Sequence, residues 1–204
     1  MNNQRLLNII SIIAVPFFIL GLLISLLFAW LFGNFDINID PISDLGSINC
    51  SPFPIIMNGT FILTSIVLSF FFFKLYKVVN KNIRESSSKY RTLYHYSSYL
   101  GFLLIVIMLI SLFITGIINV DISRDAHNIC TIFVFIPLIF GEVIIGFLLI
   151  ILNIVEKYIS ILMAFGHLSV SLLYFFIHTP LLEWFFFLIL ITWALPLSLK
   201  ISKF

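Results

Sequence analysis

Charge is what this sequence has least of. Only 10% of its 204 residues are Asp, Glu, Lys or Arg, while 61% are hydrophobic and 24 are phenylalanine. A soluble domain carries about 25% charged residues, so a water-covered surface is excluded. There are two cysteines, which rules out a disulfide scaffold, and no H-E-x-x-H or comparable metal-ligand spacing. No small-x-small cleavage site follows the first apolar run, so that run is expected to be retained as a membrane helix. The net charge of +2 offers no basic patch for nucleic acid, and no motif calls for a cofactor.

What the sequence does contain is long apolar runs. Each exceeds the roughly 18 residues needed to cross a hydrocarbon core about 30 Å thick. They do not alternate polar with apolar residues, which excludes a transmembrane barrel. The pattern predicts an all-α integral membrane protein, a single six-helix transmembrane bundle over 1–204. The spans fall at about 6–32, 54–79, 93–119, 127–154, 157–178 and 180–202.

The few charges are placed with a strong bias. Arg5, Lys74, Lys77, Lys81, Arg84, Lys89, Arg91, Lys157, Lys200 and Lys203 fall on one side of six spans, and Arg124 alone on the other. The positive-inside rule then puts both termini and the 80–92 loop in the cytoplasm of a multi-pass cell-membrane protein. The opposite face carries Asp36, Asp40, Asp44, Asp121, Asp125 and Glu183. The basic 80–92 loop is a topology determinant that also suits anionic headgroups.

The acidic face centres on "FDINIDPISDLGSINC". Phe35, Ile37 and Ile39 alternate with Asp36, Asn38 and Asp40, which predicts a short extended segment. Asp40 before Pro41 reads as a helix cap, with one turn over Pro41–Leu45 closed by Gly46. Asp40 and Asp44 then lie close together and need a cation. Arg124 is the candidate, a structural clasp docking the turn onto helix four. A sharper reading gathers Asp44, Asp125 and His127 as catalytic candidates or as ligands of a metal or a polar headgroup. Cys50 and Cys130 fall near the same helix ends. They would form a disulfide in an oxidising compartment, or stand as two free thiols.

Here the residues become familiar. "DPISDLG" after a first membrane helix, "TGIINVD" closing the third and "HNICTIFVF" opening the fourth resemble the domain-of-unknown-function 998 family. Its members are small six-helix membrane proteins of archaea and bacteria. "PISDLGS" is also distantly similar to the "ISDTG" signature of the DRAM/PGAP-type family, whose members have six helices too. The resemblance implies that Asp44 and His127 belong to the shared core of the fold. It implies no established reaction, and the low-charge, Ile- and Asn-rich composition fits an archaeal-type or other AT-rich source.

Two ionisable residues fall deep in predicted spans, Glu142 in "FGEVIIG" and His167 in "AFGHLSV". Counted from the short connection between helices four and five, they lie about thirteen and about twelve residues away. At about 1.5 Å per residue they share a depth. A lone carboxylate there costs at least about 2.5 kcal/mol, so an intramembrane Glu142–His167 pair is expected. Gly141 and Gly166 would permit close helix approach beside it. The runs Phe70–Phe73 and Trp184–Phe187 read as interface anchors and lipid-facing surface.

Three functional classes fit these residues. The first is a lipid-interacting, regulatory or scaffolding bundle whose partners are membrane lipids and another membrane protein. The alternatives are an outer-leaflet lipid-modifying enzyme using Asp44, Asp125 and His127, and a small proton-coupled transporter using Glu142 and His167.

Overall fold

The computed structural model describes residues 3–177 and 179–204. Among them there are six α-helices, one 3-10 turn and no strand. α1 is Asn3–Phe32, α2 Pro54–Glu85, α3 Arg91–Ile117, α4 Arg124–Ile151, α5 Lys157–Ile177 and α6 Leu181–Ile201, with the turn at Ile42–Gly46. Each helix is long and apolar enough to cross a membrane, and the chain is a polytopic membrane protein. The end of helix five expected at 178 lies outside the described residues.

Two boundaries move inward on the loops. α2 runs to Glu85, so most of the expected 80–92 loop is helix and only 86–90 connects it to α3. Val78, Val79 and Ile83 keep an apolar stripe buried among the charges, and that stripe carries the helix past the membrane pattern. α4 begins at Arg124, because the Ser123 hydroxyl accepts the Ala126 N–H at 3.3 Å and caps the helix. Arg124 and Asp125 are therefore first-turn residues rather than loop residues.

Consecutive helices pack against one another, and α6 returns to α1 and α2 to close the bundle. Polar contacts define its two ends. At the basic end Asn8 Nδ2 donates to Ser202 O at 2.9 Å, and Lys74 Nζ donates to Asn8 Oδ1. Lys200 meets Glu156 there at 2.7 Å. Both termini thus lie at one end. At the acidic end the Ile42–Gly46 turn docks onto α2, α4 and α6 through the contacts described below.

In lipid there is no hydrophobic drive between helices, so tight packing supplies the association. Gly146 shows it: a Cβ there would stand 2.8 Å from the backbone N of Ala164, so the glycine lets α4 and α5 meet. Gly141 instead admits Ile105 of α3, and Gly166 admits Ile189 of α6. The expected close approaches exist, but they join Glu142 and His167 to flanking helices rather than to each other.

The two aromatic runs divide. Phe71 and Phe72 are buried while Phe70 and Phe73 are exposed, and Phe186 is buried while Phe185 is exposed. At about 3.6 residues per turn, four adjacent residues cover the whole circumference of a helix, so neither run can face lipid throughout.

Candidate functional site

The acidic end is assembled around Asp44. Its segment is not the extended strand expected for 35–40. Asp36 Oδ1 accepts the Asn38 N–H at 2.9 Å, and Asp40 Oδ2 accepts the Asp36 N–H at 2.8 Å, closing a turn. Asp40 is thereby used up within its own loop and does not cap the next helix. The N–H of Ile42 is taken instead by Glu183 Oε2 of α6, at 3.0 Å. A carboxylate 141 positions away caps this turn. The Phe35 ring, edge-on to Trp184 at 6.3 Å, holds the same loop to α6.

Gly46 closes the turn for reasons of space. None of the described glycines has a positive φ. A Cβ on Gly46 would stand 2.2 Å from Asn58 Oδ1, and Asn58 Nδ2 donates to Gly46 O at 3.0 Å. The amide of α2 therefore reads the backbone of the turn at a contact only glycine allows.

Arg124 reaches the site as expected: its Nη2 lies 3.7 Å from Asp44 Oδ2. It is a loose clasp, since the Arg124 side chain is 59% exposed. The stronger tie is one the spacing gave no sign of. Asp121 Oδ1 accepts the Ser47 hydroxyl at 2.7 Å, and its Oδ2 accepts the Ile48 N–H at 2.9 Å. Charge-assisted bonds of this length outweigh a pair at 3.7 Å. Asp121 is an ordinary loop acid by sequence, and only tertiary contact reveals its role.

His127 is buried beside this turn. Its Nδ1 lies 2.9 Å from Ile118 O. A carbonyl only accepts, so Nδ1 carries the hydrogen of this bond. The ring's Nε2 is buried with no hydrogen-bond partner, as are Asp44 Oδ1 and Asn58 Oδ1. Of the trio drawn from the sequence, Asp125 is exposed on the first turn of α4, while Asp44 and His127 are buried.

Burial pushes the Asp44 carboxyl above its ordinary value. Arg124 pulls it down, Asp40 adds to the rise, and His127 opposes it. Burial, with the charges of Asp40 and Asp44, pushes the Cys50 thiol up to about 11. Ligand atoms of Asp40, Asp44 and Cys50 lie within 4.8 Å of one another. Cys50 and Cys130 are both free thiols, so the expected bridge between them is not formed.

Below the turn lies a central cavity, lined by every helix except α5 and leaving about 80 Å³ open to water-sized occupants. Its walls include Phe18, Phe72, Leu112, Phe135 and Phe186, with Ile42 at the acidic end. Phe61 to Phe72 on α2 and Glu183 to Ala194 on α6 line it lengthwise. At about 1.5 Å per residue that is a depth of roughly 16 Å, about half of a 30 Å hydrocarbon core. A second, lateral groove runs between α4, α5 and α6. Thr131, Phe135, Glu183 and Phe186 line both spaces, so they form the wall between them.

Glu142 and His167 meet as the depth count predicted. His167 Nδ1 pairs with Glu142 Oε2, and both side chains are buried. His167 Nε2 donates to Phe186 O at 2.8 Å, so one proton is left to share between Nδ1 and the carboxylate. The imidazole stacks on the Phe186 ring at 4.0 Å, which fixes from behind a side chain of the cavity wall. The hydroxyls of Thr60 and Thr115 bond carbonyls one turn back, at 2.7 and 2.8 Å, and build no polar path.

Compared with protein-family models, curated proteins and solved structures, the chain matches none.

Proposed function

We propose that this protein is a lipid-binding six-helix bundle of the cell membrane. An apolar chain drawn from the leaflet at the acidic end lies in the lateral groove, about 540 Å³ in volume, and reaches into the smaller central cavity that shares a wall with it. The observation that carries this is the apolar groove between α4, α5 and α6, about 540 Å³, set against an apolar central cavity with which it shares four lining residues. An apolar cavity excludes water and favours apolar ligands. Around six membrane-crossing helices the apolar molecules at hand are lipid tails. By the positive-inside rule the termini face the cytoplasm and the acidic end faces outward. Membership of the six-helix family that "DPISDLG" resembles belongs to the same proposal, with Asp44 and His127 buried at the acidic end.

The two alternatives have less behind them. The enzyme reading draws on Asp125, which is exposed while Asp44 and His127 are buried. The carrier reading needs a path to Glu142, and neither Glu142 nor His167 lines the central cavity.

Native mass spectrometry of the protein, purified in mild detergent, tests the proposal. The expected result is a retained lipid at about one per chain. Leu112→Trp, which fills the cavity, should release it while thermal unfolding still reports a folded protein. Wild type carrying no lipid, or a variant carrying as much as wild type, overturns the reading.

A further inference from the structure

The mouth of the cavity has chemistry that the apolar walls do not explain. Glu183 lies where the central cavity and the lateral groove meet. One of its oxygens is committed to the Ile42 N–H, and Ile42 and Ser43 line the cavity beside it. Two residues further on, Asp44 is buried with Oδ1 unpartnered. Asn58 Oδ1 is another buried acceptor without a donor, and His127 Nε2 is buried without a partner. At this end the unpartnered donor is Trp184 Nε1, on the turn of α6 that carries Glu183. Arg124, the fixed cation there, keeps most of its guanidinium in solvent.

Buried acceptors left without donors are costly, and a bound group that supplies N–H bonds removes that cost. Two carboxylates over an apolar shaft also repel an anionic headgroup. Resting on the lipid-binding reading above, we infer that the ligand is a lipid with a primary ammonium headgroup. Its chain lies in the lateral groove and reaches the cavity, and its ammonium lies between Glu183 and Asp44. A phosphate attached to that ammonium faces outward, toward the exposed Arg124. A quaternary ammonium brings the charge without the N–H donors, and a glycerol headgroup brings neither the charge nor ammonium donors.

The test offers lipid-stripped full-length protein equal amounts of phosphatidylethanolamine, phosphatidylcholine and phosphatidylglycerol with the same acyl chains. Bound lipid is counted by native mass spectrometry. Phosphatidylethanolamine should be enriched about tenfold over phosphatidylglycerol, with phosphatidylcholine in between. Glu183→Gln, whose amide oxygen still accepts from Ile42, should bind as much total lipid and lose the preference. Asp36→Asn, an exposed acid of the same loop, should keep it. Should Glu183→Gln fail to fold, the wild-type competition and Glu183→Asp decide. Equal binding of the three lipids, a preference for phosphatidylglycerol, or an unchanged preference in Glu183→Gln overturns the ammonium assignment and leaves the lipid cavity standing. Tight binding of zinc or calcium alone to the stripped protein, blocking phosphatidylethanolamine, also overturns it. Binding of no lipid at all overturns the cavity reading and this inference together.

Discussion

At the scale of single residues, the acidic end is held by Asp121 more than by Arg124. Asp121 satisfies a hydroxyl and a backbone N–H at 2.7 and 2.9 Å, whereas Arg124 meets Asp44 at 3.7 Å from solvent. Asp121→Ala should therefore cost about 1–3 kcal/mol, as for the loss of charge-assisted hydrogen bonds. Arg124→Ala should cost less than about 1 kcal/mol, as for an exposed pair. Lys81→Ala should cost least. Denaturant unfolding in mixed micelles measures the order, and an Arg124 effect exceeding that of Asp121 would reverse the assignment. Asp44 adds a pH dependence. Its folded-state value is raised above 3.8, so the native protein holds a proton that the unfolded chain releases first. Stability then falls as pH rises from about 3.8 through the folded value, and stays lower at neutral pH. Asp44→Asn cannot ionise. It should melt above wild type near neutral pH, with the gap closing on acidification; a gap independent of pH contradicts this.

At the scale of elements, the Glu142–His167 pair ties α4 to α5, and the Nε2 bond to Phe186 O ties α5 to α6. Removing one partner leaves a buried carboxyl unpaired. His167→Leu should thus destabilise by about 3–5 kcal/mol, while a Glu142→Leu, His167→Leu double variant should recover most of the loss. Equal losses in the two variants would mean that the pair does not act as a unit. Depth counting from a short connection was enough to find this pair, because helix rise is constant. The glycines beside it were harder to place. The pattern shows that a helix admits a neighbour at Gly141 and Gly166 but not which neighbour, and α3 and α6 fill those positions. The aromatic runs misled for a related reason: only packing decides which of four adjacent phenylalanines face inward.

For the whole molecule, the termini share one end, as the Asn8–Ser202 bond requires. In the proposed orientation that end faces the cytoplasm. A cysteine at Ser87→Cys, in a background with Cys50 and Cys130 replaced, should resist a membrane-impermeant maleimide in intact cells and react after lysis. Labelling from outside would invert the orientation.

The sequence by itself determined that there are six apolar helices, where the charges gather, and that Glu142 and His167 share a depth. These follow from composition, period and constant helix rise, which are local quantities. Tertiary structure decided the remainder. It chose Glu183 rather than Asp40 as the cap of the Ile42–Gly46 turn and Asp121 as the main clasp, and it buried His127 while leaving Asp125 exposed. It also opened an apolar cavity under that turn. A hydrogen bond between residues 141 positions apart leaves no periodicity behind, and a cavity is space enclosed by several helices at once. Neither is written in any one stretch of the chain.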